Sequence, residues 1–135
     1  MGLQNRLENG TVSNSITLIA IIDDDAHVLK ATARLLAMQD FEIQTFPTAE
    51  AFLEWPRIAC TSCVICDLRL PGMHGSELLQ TLRMQGFAIP IIFISAHHQD
   101  IASRPEASDA ACILKKPFDA SELTVCINRA LKLRD

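Results

Sequence analysis

From Ile16 onward the chain alternates two kinds of segment. Short runs built almost wholly of apolar residues are separated by longer stretches in which apolar residues recur every three or four positions. TLIAII (17–22), CVIC (63–66), IPIIFIS (89–95) and ACIL (111–114) are continuous apolar runs and predict strands buried on both faces. EIQTF (42–46) alternates polar with apolar, as a half-exposed edge strand does. Between these, AHVLKATARLLAMQ (26–39) predicts a helix with Val28, Leu35, Leu36 and Met38 near its inner face. TAEAFLEW (48–55) predicts a short helix capped by Thr48. SELLQTLRMQ (76–85) turns Leu78, Leu79 and Leu82 inward and stops at Gly86. The closing stretch DASELTVCINRALKLRD starts on a capping box of Asp119 and Glu122 and carries Leu123, Ile127 and Leu131 on one face. Five such strand–helix units imply a (βα)5 architecture, a three-layer α/β sandwich with a parallel sheet between helices.

One unit fits poorly. HHQDIASRPEASDA (97–110) should hold the fourth helix, yet it has few large apolar residues and contains Pro105. A proline inside a helix removes a hydrogen bond and costs about 3 kcal/mol. The fourth helix is therefore expected to be short, starting near Pro105, or mobile in the absence of a ligand or partner. Residues 1–15, MGLQNRLENGTVSNS, are polar, lack the apolar core of a secretory signal, and place Arg6 where a myristoylation signal needs Ser or Thr. They read as a disordered tail, leaving 16–135 as one domain.

Composition narrows the classes. A chain of 135 residues is the size of one domain, and its 49% hydrophobic content suffices for a core. Charged residues at 21% exclude a disordered sequence. The net charge of −4 argues against direct nucleic-acid binding, which calls for a basic patch. No apolar run approaches the roughly 18 residues that cross a bilayer, so a cytoplasmic protein without membrane contact is expected. Of the five cysteines, Cys60, Cys63 and Cys66 form a C-x-x-C-x-x-C run that could suggest an iron–sulfur site. Cys63 and Cys66, however, lie an odd number of residues apart on a strand, facing opposite sides of the sheet. With no fourth cysteine nearby and an odd total, reduced and buried thiols are expected.

Candidate chemistry gathers at strand ends. Asp23, Asp24 and Asp25 follow the first strand and Asp67 ends the third. In open parallel sheets, ligands bind beyond the carboxyl ends of the strands, where strand order reverses. A flavodoxin-like order 2-1-3-4-5 makes the first and third strands neighbours there, so Asp23, Asp24 and Asp67 should converge. Two carboxylates about 4 Å apart repel by about 4 kcal/mol at an effective dielectric near 20. Such a cluster needs a cation, and its hard oxygen donors select Mg²⁺ or Mn²⁺ over zinc. Asp25 reads more simply as a helix cap. Ser95 ends the fourth strand with a hydroxyl, Ala96 after it leaves room, and Lys116 beside Pro117 follows the fifth with a fixed positive charge. Nucleophilic carboxylate, metal, hydroxyl and lysine together suit in-line phosphoryl transfer. A phosphatase with an aspartate nucleophile would want D-x-D, whereas Asp67 is followed by Leu68 and Arg69. A flavin nucleotide would be repelled by the aspartates after the first strand. His97 and His98 read as a solvated pair, and Phe52 and Trp55 as packing residues.

The segments IIDDDAHV, ICDLRLPGMHG, IFISAHH and ILKKPF resemble those of response-regulator receiver domains, over about Thr17 to Leu133. That resemblance implies Asp67 as phosphoacceptor, charged by a histidine kinase or phosphotransfer protein in a Mg²⁺-dependent reaction, and no enzymatic activity beyond its own phosphorylation and dephosphorylation. It implies metal ligation by Asp24, Asp67 and the backbone carbonyl of Arg69, with Asp23 acting through water. Ser95 and Lys116 would grip the phosphoryl oxygens, the Lys116–Pro117 peptide would be cis, and a second copy of the chain is a candidate partner. FPTAEAFLEW and KPFDASEL further resemble receivers of the nitrogen-fixation-regulator type, which usually precede a helix-turn-helix output domain. Two positions depart from the family. Ile113 stands where an aromatic ring usually precedes the lysine by three residues, and His74 replaces the acidic residue common in the PGMDG loop. The competing expectation is a receiver-like module that signals without phosphorylation, although such chains typically lack one of the acidic or lysine positions present here. Without the aromatic, switching is expected to run through Ser95 and the segment after it. Moving a population from 1:99 to 99:1 takes about 5.5 kcal/mol, which two or three charged hydrogen bonds of about 1.5–3 kcal/mol each would supply.

Overall fold

Side chains that alternate along each strand divide the core into two halves, and the helices sort themselves onto those halves. The computed structural model describes residues 16–96 and 110–134. The expected tail at 1–15 and the segment 97–109, with His97, His98 and Pro105, lie outside the described residues. The strands are β1 (Leu18–Ile22), β2 (Glu42–Phe46), β3 (Cys63–Asp67), β4 (Ile91–Ser95) and β5 (Cys112–Lys115). The helices are α1 (Ala26–Ala37), α2 (Ala49–Leu53), α3 (Gly75–Met84) and α4 (Ala120–Arg134), with a 3₁₀ turn at Ile58–Cys60. All strand pairs are parallel, in the order β2-β1-β3-β4-β5.

Ala20, Ile22, Val64, Cys66, Ile91 and Phe93 face one side and meet Phe52 of α2 and Leu78, Leu79 and Leu82 of α3. Ile19, Ile21, Cys63, Ile65, Ile92 and Ile94 face the other and meet Leu36 of α1 and Leu123, Ile127 and Ala130 of α4. Cys63 and Cys66 thus point to opposite layers, as the strand spacing requires. Phe46 packs edge-on against Phe52 and Trp55, with ring centroids 5.3 Å apart in both pairs. β2 is an edge strand with Gln44 and Thr45 exposed, in keeping with its alternating sequence.

The helix ends follow their expected side chains. Asp25 accepts from the amides of His27 and Val28, and Thr48 accepts from that of Ala51. The Asp119 carboxylate accepts from the Glu122 amide at 2.9 Å, and the Glu122 carboxylate accepts from the Asp119 amide at 3.1 Å. Gly86, just past the end of α3, takes a left-handed φ of 88°, which glycine adopts without a Cβ penalty.

Two expectations need correction. The inner face of α1 is Leu29, Thr32, Ala33 and Leu36, while Leu35 is 38% exposed and Met38 85% exposed. Positions 29, 32, 33 and 36 follow the helical period, whereas the expected face joined the largest apolar residues and ran past the helix end. The cysteines are not all reduced: Cys112 of β5 and Cys126 of α4 form a disulfide, with Cα atoms 5.7 Å apart. Both residues belong to the layer where α4 packs back across β5, so a folded neighbourhood joins positions distant in sequence. Cys60, Cys63 and Cys66 are free thiols.

The revised face of α1 separates two substitutions of similar chemistry. Leu36→Ala should destabilise the fold by about 2–5 kcal/mol, by removing buried volume. Met38→Ala should stay within about 0.5 kcal/mol. Urea unfolding monitored by circular dichroism measures both, and equal losses would contradict this face.

Candidate functional site

Parallel register brings the carboxyl ends of all five strands to one border. Ile22 lies beside Phe46 and Cys66, Asp67 beside Ile94, and Ser95 beside Lys115. The residues that end or follow these strands therefore emerge together. Asp23 continues β1, its amide donates to the Phe46 carbonyl at 3.1 Å, and the residue is buried. Its Oδ1 accepts from the Asp25 amide at 2.9 Å. Asp24, next along, is exposed. Asp67 ends β3 with both carboxylate oxygens engaged: Oδ1 accepts from the Arg69 amide at 2.9 Å and Oδ2 from Lys116 Nζ at 3.1 Å. Lys116 is placed by its own amide, which donates to the Ser95 carbonyl at 2.9 Å and ties the end of β5 to the end of β4. Ser95 is buried, and Ala96 beyond it is exposed. The Lys116–Pro117 peptide is cis, and Ile113 is partly buried against the layer that contains Phe93.

The charges do not balance locally. Burial is the largest influence on Asp23 and raises its carboxyl above the usual range; the carboxylates of Asp67 and Asp24 raise it further. The Asp25 amide and the Lys116 ammonium oppose this without cancelling it. Beneath, the buried Cys66 thiol is held well above its ordinary value by desolvation and by Asp67 and Asp23. The carboxyl of Asp23 thus feels the charges of both Asp67 and Asp24. Among the described residues, no three His, Cys, Asp or Glu side chains are arranged as ready metal ligands. This also removes the Cys60–Cys63–Cys66 alternative. The donor chemistry at the strand ends nevertheless suits Mg²⁺, which keeps several waters and is held through one or two carboxylates rather than a full protein cage.

The loop after Asp67 is held at several points. The Gly75 amide donates to the Leu68 carbonyl at 3.0 Å. A Cβ on Gly75 would lie 3.0 Å from the Phe93 ring and 3.1 Å from the Asp67 carbonyl, so only glycine lets α3 start this close to the site. Gly72 has a φ of 76°, and Glu50 of α2 accepts from the neighbouring Met73 amide at 3.2 Å. His74 replaces the expected acid without losing its capping use: Nδ1 accepts from the Ser76 amide at 3.2 Å while Glu77 accepts from the His74 amide at 2.8 Å. Arg69 is exposed.

Sequence reasoning missed the Glu50 contact, which joins residues far apart in the chain. It also missed an apolar groove of about 560 Å³ beside Lys116, lined by Val28, Ala31, Thr32, Leu35, Pro117 and Phe118. The off-period position of Leu35 on α1 was the available signal for that groove.

Comparison with known proteins agrees with this arrangement. The family model described as "Response regulator receiver domain" matches residues 19–128. "Response regulator protein TodT" of Pseudomonas putida is 36% identical over 124 residues, covering 90% of this chain and 54% of that protein. "Response regulator protein TmoT" of Ectopseudomonas mendocina is 39% identical over 120 residues, covering 87% and 54%. "Transcriptional regulatory protein FixJ" of Bradyrhizobium diazoefficiens is 34% identical over 116 residues, covering 84% and 56%. The chain spans about half the length of the curated relatives it matches. Among solved structures, FixJ-N superposes with a TM-score of 0.78 at 32% identity, covering 90% of this chain and 96% of that one. The fold, the family model and these relatives agree: the chain belongs to the response-regulator receiver domains of two-component signalling.

Proposed function

We propose that residues 16–135 form a phosphoacceptor switch in which Asp67 takes a phosphoryl group from the phosphohistidine of a histidine kinase or phosphotransfer protein. The observation that carries this reading is the Asp67–Lys116 contact at 3.1 Å beside the buried carboxyl of Asp23. In the transfer, an Asp67 oxygen forms the new O–P bond as the N–P bond to the donor histidine breaks, and the histidine, already protonated on its other ring nitrogen, takes the bonding pair and leaves as a neutral imidazole. The Arg69 amide and Lys116 orient the Asp67 carboxylate before the donor arrives. Lys116 then neutralises charge on the phosphoryl oxygens, with the Ser95 hydroxyl as a further donor. A Mg²⁺ or Mn²⁺ ion held by Asp24, Asp67 and the Arg69 carbonyl, with Asp23 acting through water, would supply the remaining positive charge.

Ile113 offers no aromatic ring to swing, so the reading routes the switch through Ser95 and the residues after it. The domain promotes only its own phosphorylation and dephosphorylation. Its acidic balance directs any nucleic-acid recognition to another part of a regulator, and a second copy is a candidate partner. No helix among the described residues is long and apolar enough to cross a membrane; the reading places the protein in the cytoplasm with its kinase.

Incubation with acetyl phosphate and Mg²⁺, followed by intact mass, should show a gain of one phosphoryl group that disappears in Asp67→Asn. No gain in the unsubstituted chain would favour a receiver that signals without phosphorylation. Lys116→Met should slow phosphorylation roughly ten- to hundredfold, the worth of one charge-assisted hydrogen bond of about 1.5–3 kcal/mol.

A second expectation concerns pH. The folded-state pKa of Asp23 is raised above the ordinary value of 3.8, chiefly by burial. The folded protein then binds this proton more tightly than the unfolded chain, so stability falls as pH rises from the unfolded value through the folded one. The penalty persists at neutral pH. Asp23→Asn should therefore raise the metal-free Tm at pH 7. That gain should shrink as pH falls through the raised folded value and be gone below the unfolded one, and the rise in Tm that Mg²⁺ gives the unsubstituted chain should be lost. Calorimetry at several pH values reads all three, and a lower Tm for the variant at pH 7 would contradict the electrostatic account.

A further inference from the structure

The geometry points to Cys112 and Cys126 as a thiol–disulfide exchange site, where a small thiol of the glutathione class opens, and its disulfide closes, a covalent loop that contains Lys116. Four observations carry this. In the bridged form the Cα atoms are 5.7 Å apart, inside the roughly 4.4–6.8 Å that a disulfide spans. The two positions are separated by 14 residues, and the segment between them holds Lys116, the Pro117 turn and the Asp119 cap of α4. Among the described strands β5 pairs only with β4, so a covalent tie to α4 supplies a restraint that an interior strand gains from a second neighbour. Finally, the other cysteines divide sharply from this pair. Cys63 and Cys66 are buried on opposite faces of β3, and burial also pushes the Cys63 thiol up to about 12, so neither is open to a small thiol in solution. Cys60 is exposed on the 3₁₀ turn and is the remaining free thiol.

The exchange balances in two steps. Cys112 is partly exposed and Cys126 buried, so an incoming thiolate reaches Cys112 Sγ and forms a mixed disulfide there while Cys126 leaves as thiolate and takes up a proton. A second small thiol then releases Cys112 as a thiol. Two small-molecule thiols become one disulfide, and one protein disulfide becomes two thiols. Closing the bridge confines the backbone that carries Lys116, and so the ammonium that holds Asp67. This last link rests on the phosphoacceptor reading; the exchange site itself does not.

The test uses the full chain carrying Cys60→Ser, which removes the exposed thiol that could join two copies. Equilibration in glutathione buffers of different oxidation state, alkylation and peptide mass should show Cys112 and Cys126 blocked together in reduced buffer and bridged in oxidised buffer. Backbone amides of residues 113–119 should exchange with deuterium roughly tenfold more slowly in the bridged form. Acetyl phosphate should modify Asp67 about threefold faster in the bridged form, the rate following the position of Lys116. Both differences should vanish in Cys112→Ser. A pair that stays reduced in oxidised glutathione, a bridge that reduced glutathione cannot open, or equal amide exchange in the two forms would each overturn the proposal. If the exchange difference holds while neither form takes up a phosphoryl group, the redox site stands and the phosphoacceptor reading fails.

Discussion

An excess of negative charge at one end of a parallel sheet governs this domain. Asp23 is buried, Asp67 is half-buried and coupled to it, Asp24 adds its field, and Lys116 is in direct contact with Asp67. Like charges held this close are tolerated because each is partly satisfied by backbone donors, the Asp25 amide on Asp23 and the Arg69 amide on Asp67. The remaining imbalance makes the site receptive to a divalent cation and keeps Lys116 drawn inward. The frame beneath is as apolar as the top is polar, so the strain of the carboxylates is borne by a core with little freedom to yield.

Because strand ends carry the chemistry, register matters more than any individual loop. A shift of one residue in β3 would turn Asp67 to the other face and place Cys66 or Leu68 at the border. The pairing of Ser95 with Lys115 and the bond from the Lys116 amide to the Ser95 carbonyl fix the height of the lysine relative to the aspartate. Gly75 sets the opposite wall: α3 begins against the Asp67 carbonyl, and His74 and Glu77 then stabilise that start.

Much of this was legible in the sequence, for identifiable reasons. Strands buried on both faces write themselves as unbroken apolar runs, and Thr48, Asp119 and Gly86 mark helix ends through local hydrogen bonding or backbone freedom. Asp23, Asp67, Ser95 and Lys116 could be placed because each immediately follows or closes such a run. What escaped depends on tertiary neighbourhood or on reading the wrong signal. The inner face of α1 follows angular spacing rather than side-chain size, which puts Thr32 inside and Met38 outside. The Cys112–Cys126 bond requires knowing how α4 crosses β5, and the Glu50–Met73 contact requires knowing that α2 lies beside the loop after Asp67. Strand order fixes which carboxylates are neighbours but not where their side chains point, so the sequence could bring Asp23, Asp24 and Asp67 to one border and go no further.

The two borders of the sheet have a consequence for how copies of this domain meet. β2 shows Gln44 and Thr45 to solvent, and β5 is four residues long and ends on the exposed Lys115. Short, polar or lysine-bearing borders are poor templates for adding a strand from another molecule. Self-association by extending the sheet is therefore disfavoured, and with it the slide toward fibrous aggregates that unguarded borders invite. Contacts between copies are left to helical surfaces, which can be made and released without unpicking a hydrogen-bonded ladder.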